Sequence, residues 1–76
     1  MEDQVKQIIA TQIGIEPSDI GFDMCLVEDL NADSLDTVEI IMDLERKFNI
    51  EIDTEEANTS NTLRKILLML EKKLQK

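Results

Sequence analysis

Val5, Ile8, Ile9, Gln12 and Ile13 recur at helical spacing, and Gly14 follows them as a residue that accepts left-handed backbone angles without strain. The pattern predicts a first helix over 3–14. Residues 15–33 then form a long connection with Pro17 and Gly21. Its scattered apolar residues Ile20, Phe22, Leu26, Val27 and Leu30 are expected to tuck onto the core. A loop of this length tends to be functional. A second helix is expected over 34–48. Asp53 with Glu56 three residues on has the form of a reciprocal cap, opening a short helix over 54–58. Leu63, Ile66, Leu67, Leu70 and Leu74 make an i, i+3, i+4, i+7, i+11 stripe on a last helix over 61–75. No alternating strand pattern, repeat or low-complexity tract interrupts this order. The expected fold is all-α, a small bundle of three main helices plus one short helix with a long first loop, in a single domain over 1–76.

The second helix separates its apolar side chains into two groups when residues are placed at about 100° each. Ile40, Ile41, Leu44 and Phe48 form an ordinary core stripe. Leu35, Val38 and Met42 lie on a different side, beside Asp36, Glu39 and Asp43. This second group either packs against the long loop or stays open as a docking face. The acidic fringe and a flexible Met, which adapts to several partners, favour docking.

Charge sharpens that expectation. The chain has 76 residues and a net charge of -9. Between Gln7 and Glu45 it carries Glu16, Asp19, Asp23, Glu28, Asp29, Asp33, Asp36, Glu39, Asp43 and Glu45, and no base. Such a segment repels phosphate backbones, which argues against nucleic acid as a partner. A basic protein surface is the expected partner, attracted at long range and weakened by salt. A single cysteine, Cys25, excludes an internal disulfide and a cysteine-rich zinc site, suits a reducing compartment, and reads as a small buried or half-buried hydrophobe. The chain has no apolar run able to span a membrane. Its N-terminus has neither secretory-signal nor transit-peptide character, so a cytoplasmic location, or a mature form already processed, is expected.

Ser34 stands between Asp33 and Leu35-Asp36 at the predicted start of the second helix. The chain contains no histidine, and no lysine stands obviously beside Ser34, so a nucleophilic serine lacks its base and a hydrolase is excluded. Asp33 or Ser34 can cap the helix, and Asp36 suits the positive end of its dipole. The same position would let a phosphate on the hydroxyl meet free backbone N–H groups. Asp29, Asn31 and Asp33 match positions 1, 3 and 5 of a calcium loop, but Ser34 replaces the required glycine and Ile40 the bidentate glutamate. No dedicated metal site is expected.

The run from Glu28 to Ile40, E-D-L-N-A-D-S-L-D-T-V-E-I, closely resembles the helix-two region of acyl carrier proteins, and the agreement extends from Val5-Lys6-Gln7-Ile8-Ile9 through Phe48 to Ala57 and on to the last amphipathic helix. The resemblance implies a non-catalytic carrier in which Ser34 holds 4'-phosphopantetheine through a phosphodiester, transferred from coenzyme A by a phosphopantetheinyl transferase with Mg2+. It further implies that growing fatty acyl chains are carried as thioesters and presented to ketosynthases, malonyl transferase, reductases, dehydratases and acyltransferases. Asp33, Leu35, Asp36, Val38, Glu39 and Met42 match the family's partner-facing positions, and Leu44, Ile52 and Ala57 would border an acyl-chain pocket between helices two and three. A monomer in the bacterial cytoplasm, or in an organelle matrix if the chain is a processed form, is implied, without membrane insertion. A carrier of polyketide or aminoacyl intermediates, and an unmodified acidic or calcium-binding interaction module, are the competing readings. Two departures stand out: Asn31 replaces the family's usual glycine, and Arg46 and Lys47 stand where acids are common.

Overall fold

The computed structural model describes residues 1–74; the expected end of the last helix at 75 lies outside the described residues. Helix α1 (Glu2–Ile13) starts with Glu2 and Asp3 at its positive end. It stops at Gly14, whose φ of 87° lets the N–H groups of Gly14 and Ile15 both close on the Ala10 carbonyl, at 2.7 and 3.0 Å. Val5, Ile9 and Ala10 are buried.

The long connection is shorter of structure than a helix but far from loose. Pro17–Asp19 forms a 3-10 turn started by the fixed φ of Pro17. Ile20, Leu26, Leu30 and Ala32 are buried. The backbone is fastened to the segment leading into the last helix by Leu26 N–H to the Asn61 carbonyl at 3.0 Å, by Arg64 N–H to the Phe22 carbonyl at 2.9 Å, and by an isolated antiparallel bridge between Cys25 and Thr62. Phe22 and Val27, expected to tuck inward, are 39% and 52% exposed. The Phe22 ring instead lies against the cations of Lys6 and Arg64, 5.6 and 5.4 Å from its centroid. Cys25 is half-buried, its thiol free.

Helix α2 (Ser34–Phe48) buries Ile40, Ile41 and Leu44 and half-buries Phe48, the stripe expected from its period. Arg46 and Lys47 lie in its last turn, where cations oppose the negative end of the dipole. Asn49, at φ 55°, ends it. Helix α3 (Thr54–Thr59) opens on the reciprocal Asp53–Glu56 cap read from the sequence and contains no fully buried residue. Helix α4 (Leu63–Leu74) buries Leu63, Ile66, Met69 and Leu70. Leu74, assigned to this stripe by its spacing, is 42% exposed, and Met69 takes the inward position. Met69 also accepts the hydroxyl of the buried Ser60, at 3.5 Å.

Val5, Ile9, Ile40, Leu44, Leu63, Ile66 and Leu70 are wholly shielded from water and form the core shared by α1, α2 and α4. The described residues are all-α apart from the single bridge pair, as expected.

Arg64 straps the connection to α4, its Nε and Nη2 reaching the two oxygens of Asp23 at 2.8 and 3.2 Å. That hydrogen bonding, with the guanidinium charge, holds the Asp23 carboxyl below the usual carboxylate range. A depressed folded pKa means that this pair's contribution is present above the unfolded carboxylate pKa and is lost as pH falls through the folded value. Arg64→Gln is expected to bring the Asp23 titration, followed by the side-chain carboxyl carbon in NMR, back up to the ordinary carboxylate range.

Candidate functional site

Three residues of backbone decide where Ser34 stands. Asn31 takes the left-handed conformation, φ 59°, which Asn tolerates better than most residues because its short polar side chain is compatible with it. Ala32 is buried, and its N–H reaches the Leu26 carbonyl at 2.9 Å, pinning the chain just before the helix. Asp33 is the N-cap: its Oδ1 accepts the Asp36 N–H at 2.8 Å, while the Asp36 Oδ2 accepts the Asp33 N–H at 3.3 Å. The Thr37 N–H goes to the Asp33 carbonyl at 3.0 Å. Ser34 is therefore the first helical residue, exposed, and the amide groups of Ser34 and Leu35 are the open donors of the first turn.

From this turn the helical period sends one row of apolar residues outward. Leu35 is 74% exposed, Val38 54% and Met42 44%, so the group does not pack under the long loop. Glu39 is exposed beside them, and Asp36 is half-buried. The structure thus brings Asp33, Ser34, Leu35, Asp36, Val38, Glu39 and Met42 onto one end and one face of α2.

A groove of about 460 Å³ begins at Ser34 and runs between α2 and α3. Its volume is in the range of small-ligand clefts, about 300–1,000 Å³. Thr37, Val38, Ile41 and Met42 line one side, and Ile52, Thr54, Ala57 and Asn58 the other. Ile52 and Ala57 therefore border this groove. Leu44 is wholly shielded in the core stripe with Ile40 and does not line the groove as it stands. Val27 and Ile41 were missed as lining residues by reading the sequence. Val27 sits in an irregular segment without a period, and Ile41 lies at the border of the core stripe, where it serves both surfaces.

The α3 wall of the groove is held by polar contacts. Glu45 Oε2 accepts the Ile52 N–H at 2.8 Å, and Lys73 Nζ lies 2.8 Å from Glu56 Oε1. The Lys73 ammonium, and next the Asp53 N–H, hold the Glu56 carboxyl below its usual range. No group of three or more His, Cys, Asp or Glu able to hold a metal occurs among the described residues, and no described helix is long and apolar enough to cross a membrane.

The profile of the family described as "Phosphopantetheine attachment site" matches residues 3–70. The chain is 42% identical over 73 residues to an acyl carrier protein of Chlamydia trachomatis serovar D, covering 96% of this chain and 95% of that protein. It is 48% identical over 63 residues to an acyl carrier protein of Chlamydia caviae, with 83% and 82% of the two chains covered. A solved structure assigned to acyl carrier proteins, from Mycobacterium tuberculosis, superposes with a TM-score of 0.85 at 26% identity, over 92% of this chain and 93% of that one. The resemblance read from the run Glu28 to Ile40 is borne out on both sequence and fold.

The left-handed Asn31 is the strained joint of the site. Asn31→Ala is expected to cost about 1 kcal/mol, the steric penalty of a Cβ in that conformation without a compensating polar side chain. Asn31→Gly is expected to stay within about 0.5 kcal/mol of the parent, relief of strain offsetting greater unfolded-state entropy. Urea unfolding of both variants measures the difference.

Proposed function

The chain belongs to the acyl carrier protein family, and from that premise we propose that Ser34 is the attachment point of its 4'-phosphopantetheine and that the outward face of α2 is where partner enzymes dock. The observation that carries the proposal is the position of Ser34: an exposed hydroxyl at the first residue of a capped helix, where the groove begins. The local groups suit a phosphodiester. Two open amide donors and the positive end of α2 favour an anion on this hydroxyl, while Asp33 and Asp36 are already engaged in the cap.

The chain supplies a nucleophile without activating it. Ser34 Oγ forms a bond to the phosphorus of the pantetheine side of coenzyme A. The pyrophosphate P–O bond breaks, adenosine 3',5'-bisphosphate leaves, and the hydroxyl proton passes to a base on the phosphopantetheinyl transferase, with Mg2+ on the phosphates. A chain without histidine can host this step because the base and the metal come from the other protein. Once attached, the group supplies a terminal thiol on a flexible arm, which holds acyl chains as thioesters. The chain itself acts as substrate and partner rather than as catalyst.

Leu35, Val38 and Met42 offer apolar contact area, and Asp36 and Glu39 an acidic fringe that orients a basic surface. Transferase and enzymes of acyl-chain synthesis are the general class of partner. Ketosynthases, malonyl transferase, reductases, dehydratases and acyltransferases of fatty acid synthesis are the specific proposal, with the chain acting as a monomer, one domain over 1–76, in the bacterial cytoplasm. Ile52 and Ala57, with Ile41, border the space into which a carried chain would fold, and Leu44 lies beneath it in the core, where parting of α2 and α3 would bring it beside the chain.

The test is the intact mass of the wild-type chain and of Ser34→Ala after incubation with coenzyme A, Mg2+ and a broad-specificity phosphopantetheinyl transferase. A gain of one 4'-phosphopantetheine on wild type alone is expected. A gain on both variants moves the site elsewhere. No gain on either makes Asp33 to Asp36 a helix cap and the chain an unmodified interaction module.

A further inference from the structure

Gln12 is a polar residue set at helical spacing within the apolar stripe of α1, and neither the core nor the carrier role uses it. It is half-buried, and its Nε2 lies 3.2 Å from Asp36 Oδ1, joining residues 24 apart in sequence. The sense of this bond is fixed by chemistry: an ionised carboxylate only accepts, so the amide nitrogen must face it. The other oxygen, Oδ2, accepts the Asp33 N–H at 3.3 Å. The Asp36 carboxylate is thereby held by two donors from two elements, one local to the cap and one from α1. About four acceptor positions exist on a carboxylate, so two remain for a donor arriving from outside.

We propose that Gln12 is a positioning residue for the attachment reaction at Ser34: it acts through Asp36, fixing that carboxylate in the direction in which a basic partner meets it. The inference rests on the reading of Ser34 as the attachment point. The Asp33–Asp36 cap sets the helix start from within α2 and holds one oxygen of the Asp36 carboxylate. The Gln12 bond holds the other oxygen and ties the first turn of α2 to the last turn of α1. A partner whose Arg or Lys pairs with Asp36 then finds an oriented acceptor, and the ordering cost has been met in folding rather than in docking. Removing the donor should weaken encounter with the transferase more than turnover within the complex.

The experiment measures transferase kinetics against concentration of the chain for wild type, Gln12→Met, Asp36→Ala and the double variant. Gln12→Met keeps the length of the side chain and loses the donor. Its half-saturating concentration is expected to rise about threefold to tenfold, the size of one net hydrogen bond, with saturated turnover within about twofold of wild type. In the Asp36→Ala background, Gln12→Met is expected to add nothing. Gln12→Glu, which sets a like charge against Asp36, should exceed the effect of Gln12→Met. Gln7→Met, on the exposed part of α1, should load as wild type and controls for general effects on that helix. Wild-type kinetics for Gln12→Met, additive effects with Asp36→Ala, or a loss confined to saturated turnover would each overturn the proposal. Loading of wild type with no dependence on Gln12 would leave the Ser34 reading standing alone, whereas absence of loading on wild type would remove that reading and this one with it.

Discussion

The reciprocal cap between Asp33 and Asp36 is the interaction on which the rest of this surface depends. A helix start leaves backbone donors without partners. Here the third is taken by the Asp33 side chain, and the cap residue's own N–H is returned to Asp36. That fixes the N-cap one residue before Ser34 and leaves the serine as the first helical residue with its own N–H open. The position also sets the phase of the whole helix. With Ser34 as first helical residue, a period of about 3.6 sends Ile40 and Leu44 into the core and Leu35, Val38 and Met42 to solvent. Shifting the start by one residue would rotate both faces by about 100°.

Much of this was legible in the sequence because the signals are local. The stop at Gly14, the cap at Asp53 and the core stripes of α1 and α2 follow from backbone chemistry and helical period and stand where they were expected, and of the two cap candidates for α2 the structure uses Asp33. The split of α2 into two apolar faces was also readable, since the angle between Ile40 and Val38 depends only on geometry. What resisted reading lies where no period applies. Phe22 and Val27 look like core residues by type, yet Phe22 is held at the surface by two cations and Val27 lines the groove. The bridge between Cys25 and Thr62 joins segments far apart in sequence, and no local pattern announces it. Leu74 satisfies the stripe by number but falls at the end of α4 and is 42% exposed. Leu44, which the family resemblance placed beside a carried chain, is wholly shielded within the core.

The contrast between the two sides of the groove has a physical source. Helix α2 is anchored by Ile40, Ile41 and Leu44 within the core, whereas α3 buries no residue completely and is secured by Glu45 on the Ile52 amide and by the Lys73–Glu56 pair. Surface ion pairs contribute little, about 0–1 kcal/mol, against the several kcal/mol of a buried aliphatic stripe. One wall is therefore set deep in the core, and the other packs against it only through partly buried residues such as Ile52 and Ala57. That division suits the proposed use of this surface, with Ser34 held and the space beside it open to a carried chain. The acids along the loop and α2, without a base from Gln7 to Glu45, add a long-range negative field that would draw the proposed basic partners to the same end.

The central claim is that attachment and docking share one end of α2. It is tested most directly by titrating a basic ketosynthase of fatty acid synthesis into the isotopically labelled, loaded chain and following backbone amide signals by NMR. Perturbations concentrated at Ser34, Leu35, Val38, Glu39 and Met42, and suppressed by raised salt, are the expected result. Perturbations centred on the outward face of α4, with the α2 signals unmoved, would contradict it.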